Sequence, residues 1–175
     1  MASTAILASL DEYDARTAAG ERLEFDRGVF IPMPNNDSLH ESVKTKLVRQ
    51  LNRQLDDPIE AGNELTFEVA PSRVRHPDVA LLLRPRRAVA GRRFQGAPDL
   101  AIEIVSASDS ASDLDDKIHL YLANGARAVW VVWPGPQRID IHQTNQPIRQ
   151  YHAADTLSGE EPVPQFRLPV SSLFV

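Results

Sequence analysis

The chain has 175 residues and a mass of 19.4 kDa, which suits one domain of ordinary size and leaves no room for two full cores. Its 42% hydrophobic and 25% charged residues exclude wholesale disorder and a fibrous class, and the absence of cysteine excludes disulfides, thiolate zinc sites, iron–sulfur clusters and cysteine nucleophiles. With 19 basic against 24 acidic residues the net charge is −5, so general coating of nucleic acid by charge is excluded unless a local basic patch supplies it.

The first ten residues reach Asp11 and Glu12 without a basic region and make a poor signal peptide, and no apolar run approaches the roughly 18 residues of a membrane span; the cytoplasm is the expected compartment. A short leading helix is expected over 4–16, with a loop to Gly20, so that 1–20 precede the main body. Leu23 to Ile31 sets apolar residues about a polar turn with Gly28 and predicts a β-hairpin. Pro32, Pro34, Asn35, Asn36 and Asp37 then make a loop. Ser38, with Glu41 three residues on, fits a capping box. Leu39, Val43, Leu47, Leu51 and Leu55 then form one apolar stripe, with Lys44, Arg49 and Arg53 on the other faces, until Asp56-Asp57-Pro58 ends the helix.

Strands are expected over 64–70, 79–83 and 100–105, the last interrupted by Glu103. Between the second and third, Arg84, Arg86, Arg87, Arg92 and Arg93 lie within ten residues; without them the chain carries 14 basic against 24 acidic residues. This run is the candidate nucleic-acid-binding patch, and it reads equally as a solvated loop. A second helix over 111–124 carries Leu114, Ile118, Tyr121 and Leu122 on one stripe and stops at Gly125. A strand over 128–133, a hairpin from 138–142 and 148–151, a loop over 155–164 and an apolar tail over 166–175, packed as an edge strand or cap, complete the chain. The order predicts an α/β chain, a mixed sheet flanked by helices. The exposed edge of the late hairpin offers a route to a homodimer.

Three charged residues stand where a purely structural sequence would place apolar ones. Asp78 precedes the run Val79-Ala80-Leu81-Leu82-Leu83, Glu103 lies inside Leu100-Ala101-Ile102-Glu103-Ile104-Val105, and Lys117 sits three residues after Leu114 and four before Tyr121. Burying a charge costs several kcal/mol unless it is paired or bound to a metal. The three can satisfy one another, or the carboxylates can bind a hard divalent cation such as Mg²⁺ or Mn²⁺. Each alone also reads as an exposed strand end or a snorkelling lysine. His76 beside Asp78 is a candidate ligand or proton carrier, or a partly exposed loop residue. No His-x-x-x-His pair, phosphate-binding glycine loop or Gly-x-Ser-x-Gly elbow is present.

Pro77-Asp78-Val79-Ala80, then Pro98-Asp99-Leu100-Ala101-Ile102-Glu103-Ile104-Val105-Ser106, then Asp113, Lys117, Tyr121, Gly125 and Val129-Trp130-Val131-Val132 together resemble the Uma-two family, to which endonuclease activity is ascribed within the PD-(D/E)XK restriction-endonuclease-like superfamily. Leu23-Glu24, Gly28, His40 and Leu173-Phe174 extend the resemblance over about residues 20–175. It implies a single restriction-endonuclease-like domain over 1–175, with a central mixed β-sheet flanked by helices and β-hairpins near both ends. It also implies that Asp78 and Glu103 are metal ligands for Mg²⁺ or Mn²⁺, that Lys117 is catalytic, that Glu24 helps position the metal or water, and that His40 is auxiliary. The superfamily's lysine two positions after the glutamate is replaced here by Val105; the following helix supplies Lys117 instead. The chain departs from the family pattern at Ser106-Ala107, where Ser-Pro is usual, and at Trp133, where aspartate is common.

The expected activity is Mg²⁺-dependent hydrolysis of nucleic-acid phosphodiesters, most naturally DNA. The alternative is a non-catalytic binding or accessory protein on the same fold; a small-molecule hydrolase or an interaction module is a weaker third reading.

Overall fold

The computed structural model describes residues 7–33, 37–55, 60–62, 65–83, 86, 88, 93–107 and 109–175. In chain order these form α1 (Leu10–Ala18), β1 (Leu23–Asp26), β2 (Val29–Pro32), α2 (Ser38–Gln54), β3 (Glu60–Gly62), β4 (Phe67–Ala70), β5 (Arg73–Arg75) and β6 (Val79–Leu82). They continue with β7 (Phe94–Gln95), β8 (Leu100–Ile104), α3 (Ala111–Ala123), β9 (Ala128–Trp133), β10 (Arg138–His142), β11 (Arg149–His152), β12 (Thr156–Ser158), β13 (Arg167–Pro169) and a closing 3₁₀ turn, Val170–Leu173.

The central sheet runs β11-β10-β9-β8-β6-β3, with β8 and β9 parallel and the other neighbours antiparallel. A parallel pair needs a crossover, and α3 provides it. Along β8 the side chains alternate. Leu100, Ile102 and Ile104 pack on one face with Val43, Leu47 and Leu51 of α2 and with Trp130, while Ala101 packs on the other with Ile118, Leu120 and Tyr121 of α3. Both faces are covered, which is why β6 and β9 read as continuous apolar runs and β8 does so apart from Glu103. By the same alternation Glu103 belongs to the α3 face.

The first hairpin forms as expected, its turn made by Arg27 (φ 47°) and Gly28 (φ 92°). It does not join the central sheet. It starts a second sheet, β2-β1-β5-β4-β7, against which α1 packs Tyr13 beside Phe25 and Val74.

Several boundaries differ from the sequence expectation. The first helix begins at Leu10, because Ser9 caps it by accepting from the Glu12 amide at 3.1 Å. Asp37, not Ser38, caps α2, accepting from the His40 amide at 2.8 Å, and Glu41 instead receives the Lys44 ammonium at 2.7 Å. The α2 stripe is buried at Val43, Leu47 and Leu51, but Leu39 is exposed and Lys44 is buried. A four-residue spacing drifts by about 40° per step on a helix of 3.6 residues per turn, so the stripe's first member has rotated off the core. The loop expected over 155–164 contains β12, which pairs with β13 in a small third sheet.

Candidate functional site

The register of β6 on β8 pairs Val79 with Ile102. Continuing it by one residue sets Asp78 across from Glu103. Asp78 also bonds to β8 through its side chain: Oδ2 accepts from the Ile104 amide at 2.8 Å, and it meets His40 Nε2 at 3.1 Å. Asp78 Oδ1 has no hydrogen bond among the described residues. His40 comes from the first turn of α2 and is buried, as Asp78's neighbour rather than as core filling. Burial disfavours its imidazolium, yet the hydrogen bond and charge of Asp78 outweigh that and raise its pKa.

Glu103 is buried and accepts from the Tyr121 hydroxyl at 2.8 Å through Oε1. Its Oε2 lies 3.6 Å from Lys117 Nζ. Burial, opposed by Lys117 and reinforced by Asp78 and Glu24, raises the pKa of the Glu103 carboxyl. Lys117 and Tyr121 are four residues apart on α3 and so share the face that covers β8.

Glu24 arrives from the second sheet. Its Oε1 lies 3.0 Å from Lys117 Nζ and accepts from the His76 amide at 3.2 Å; Oε2 is 3.7 Å from Arg75 Nε. Lys117 therefore bridges a carboxylate of each large sheet. Burial works against its ammonium, but the charges of Glu103 and Glu24 prevail and raise its pKa. Arg75 is itself buried, donating to the Phe25 and Val74 carbonyls at 2.8 and 3.0 Å and pairing with Asp26.

Glu24, Asp78, Glu103 and Lys117 line one open cavity of about 560 Å³, together with His40, His76, Arg22 and Arg75. Ile31, Met33 and Leu114 add apolar lining. The four residues singled out from sequence as catalytic are thus brought together from β1, the entrance to β6, β8 and α3, and both auxiliary histidines join them. His76 is half-buried, its ring held between the Tyr13 hydroxyl at 2.8 Å and the Thr66 hydroxyl at 3.3 Å, and desolvation lowers its pKa.

The arginine run is not brought to this cavity among the described residues. Arg86 donates to the Ala97 carbonyl at 2.6 Å and to Asp99 at 3.2 Å, and Arg93 pairs with Asp14 and Glu68. Arg84, Arg87 and Arg92 lie outside the described residues. The roles of Arg75 and Tyr121 were not read from sequence. Tyr121 carried a signal, since it follows Lys117 by one helical turn; Arg75 carried none.

Among the described residues no group of three or more His, Asp or Glu is arranged to hold a metal ion. The donor chemistry nonetheless fits a hard divalent cation. Mg²⁺ is commonly held by one or two carboxylates, with waters and substrate phosphate completing its shell, and Asp78 keeps one oxygen unengaged beside Glu103.

A mixed sheet with two carboxylates at adjoining strand positions and a lysine from the covering helix defines a restriction-endonuclease-like fold. The family model described as "Uma2: Putative restriction endonuclease" matches residues 10–171, and the chain belongs to that family. A crystal structure from Anabaena variabilis, titled a "putative nuclease belonging to DUF820", superposes with a TM-score of 0.76 at 22% identity, covering 97% of each chain. No curated protein matches the sequence. The family supports a nuclease; among the described residues no helix is long and apolar enough to cross a membrane.

Proposed function

We propose that the protein is a divalent-metal-dependent endonuclease acting on DNA, with Asp78 and Glu103 as the residues that would hold Mg²⁺ or Mn²⁺. The observation that carries this reading is the convergence of Glu24, Asp78, Glu103 and Lys117 on one open cavity of about 560 Å³. A bound cation would supply Lewis-acid polarisation of the phosphate and a more acidic water. The chain's own residues do the rest. Ile104 N–H and His40 hold Asp78 by Oδ2, which leaves Oδ1 for coordination. Tyr121 holds Glu103 by Oε1. Lys117, a cation between Glu24 and Glu103, is placed to stabilise the negative charge that grows on the phosphoryl oxygens. Glu24 orients that lysine and stands near enough to assist an attacking water.

One observation favours the alternative of a non-catalytic nucleic-acid binder: Lys117 already pairs with Glu24 and Glu103 and offsets part of their charge without any metal. Calorimetric titration of Mn²⁺ and Mg²⁺, run beside cleavage of supercoiled plasmid, separates the two. The endonuclease reading expects metal-dependent nicking by the wild type that is lost in Asp78→Asn. Cleavage by that variant at the wild-type rate overturns the site, and DNA binding without cleavage under either metal favours the accessory role.

A further inference from the structure

A second cavity of about 310 Å³ opens beside the first, and the two share Arg22, Met33, His76 and Asp78. Asp78 therefore stands at the junction of a continuous groove. The side cavity adds Thr17, Glu21 and Lys44 to the lining.

Its arginine differs from the others nearby. Arg16 pairs with Glu21, Arg27, Arg73 and Arg75 all pair with Asp26, Arg86 with Asp99, and Arg93 with Asp14 and Glu68. Arg22, two residues before Glu24, is exposed and carries no side-chain ion pair or hydrogen bond among the described residues. Lys44 is buried against the groove, one helical turn beyond His40, and gives one of its three N–H groups to Glu41 at 2.7 Å. A guanidinium without a partner among the described residues and a buried ammonium lining one cavity are the groups an anion subsite needs, since a guanidinium fork matches phosphate oxygens in pairs and an ammonium acts as a point charge.

We infer that Arg22 and Lys44 bind the backbone phosphate adjacent to the scissile one, so that the protein takes a polynucleotide strand and not a mononucleotide. This rests on the proposed endonuclease site, because a strand with one phosphate at Asp78 must lay its next phosphate alongside, and the side cavity leads away from that same carboxylate. Arg86 and Arg93 of the arginine run have their side chains engaged with carboxylates, whereas Arg22 stands at the groove itself.

The test is fluorescence anisotropy of a labelled DNA strand and duplex with Ca²⁺ present, from about 50 to 200 mM NaCl. Arg22→Ala is expected to weaken binding roughly five-fold or more and to lower the slope of log affinity against log salt by about one. Arg22→Lys is expected to restore the slope and only part of the affinity. Arg127→Ala, which removes an exposed arginine paired with Glu161 and lining neither cavity, is expected to change neither. Wild-type affinity and slope in Arg22→Ala would overturn the subsite while leaving the endonuclease reading intact. Failure of the wild type to bind either probe would overturn both.

Discussion

Tyr121 donates its phenolic hydrogen to Glu103 across 2.8 Å in a fully buried contact. The tyrosine comes from α3 and the glutamate from the middle of a strand buried on both faces. Removing only the hydroxyl, in Tyr121→Phe, keeps the ring and strands one carboxylate oxygen. An unpaired buried acceptor costs about 1–3 kcal/mol, so a denaturant midpoint shift of that size is expected. Mn²⁺ affinity should fall with it, because Glu103 loses the contact that fixes its orientation. Unchanged stability and unchanged Mn²⁺ binding together would remove Tyr121 from the site.

Asp78 is held through Oδ2, and its Oδ1 has no hydrogen bond among the described residues. Asn at this position keeps an acceptor for the Ile104 amide but loses the charge, whereas Ala abandons the amide. Asp78→Asn is therefore expected to melt close to the wild type and bind no Mn²⁺. Asp78→Ala is expected to lose binding and also about 1–3 kcal/mol. Calorimetry and thermal melts on the two variants check this, and retained Mn²⁺ binding in the asparagine variant counts against the assignment.

All three tyrosines of the chain have raised pKa values. Burial, then the charges of Asp14 and Glu24, pushes Tyr13 up to about 12; burial and the Glu160 hydrogen bond push Tyr151 up to about 12; burial and the charge of Glu103 raise Tyr121 well above its ordinary value. An unfolded tyrosine titrates near 10. The stabilisation these protons represent is complete below that pH and is lost as pH rises from about 10 through 12, because the unfolded chain releases protons the folded chain retains. Ultraviolet absorbance should show almost no tyrosinate near pH 10 in the native protein, with its appearance tied to alkaline unfolding. Full tyrosinate at that pH with the near-ultraviolet circular dichroism intact would contradict the contacts of all three hydroxyls.

Leu47 and Leu39 lie on the same predicted stripe and differ only in where α2 leaves them. Leu47 is fully buried against the central sheet, while Leu39 is 42% exposed. Leu47→Ala is expected to cost about 2–5 kcal/mol, and Leu39→Ala less than about 0.5 kcal/mol. Urea unfolding measures both, and equal costs would contradict the observed rotation of the stripe.

Much of the fold was legible because its signals are local. The buried runs of β6, β8 and β9, the Leu23–Ile31 hairpin, and the helices at 38 and 111 each declare themselves within a few residues by periodicity, turn chemistry or capping. β5 was not legible: Arg73-Val74-Arg75 has one apolar residue, and it is a strand because β1 and β4 pair with it on either side. β12 was hidden for the same reason, its partner β13 lying nine residues on.

At the site, the sequence by itself determined which residues had to find partners: Asp78, Glu103 and Lys117 are charges set among apolar neighbours, and burial of a lone charge is too costly to be left uncompensated. Resemblance to a family added Glu24 and His40. Only the tertiary structure decided who partners whom. The β6–β8 register sets Asp78 opposite Glu103, the α3 crossover lowers Lys117 and Tyr121 onto that glutamate, and the second sheet delivers Glu24 to the same lysine. The arginines show the same division. Five of them cluster in sequence, but charge density along a chain says nothing of which carboxylates stand nearby in space: Asp14, Glu68 and Asp99 engage Arg86 and Arg93, while Arg22 at the groove has no side-chain ion pair or hydrogen bond among the described residues.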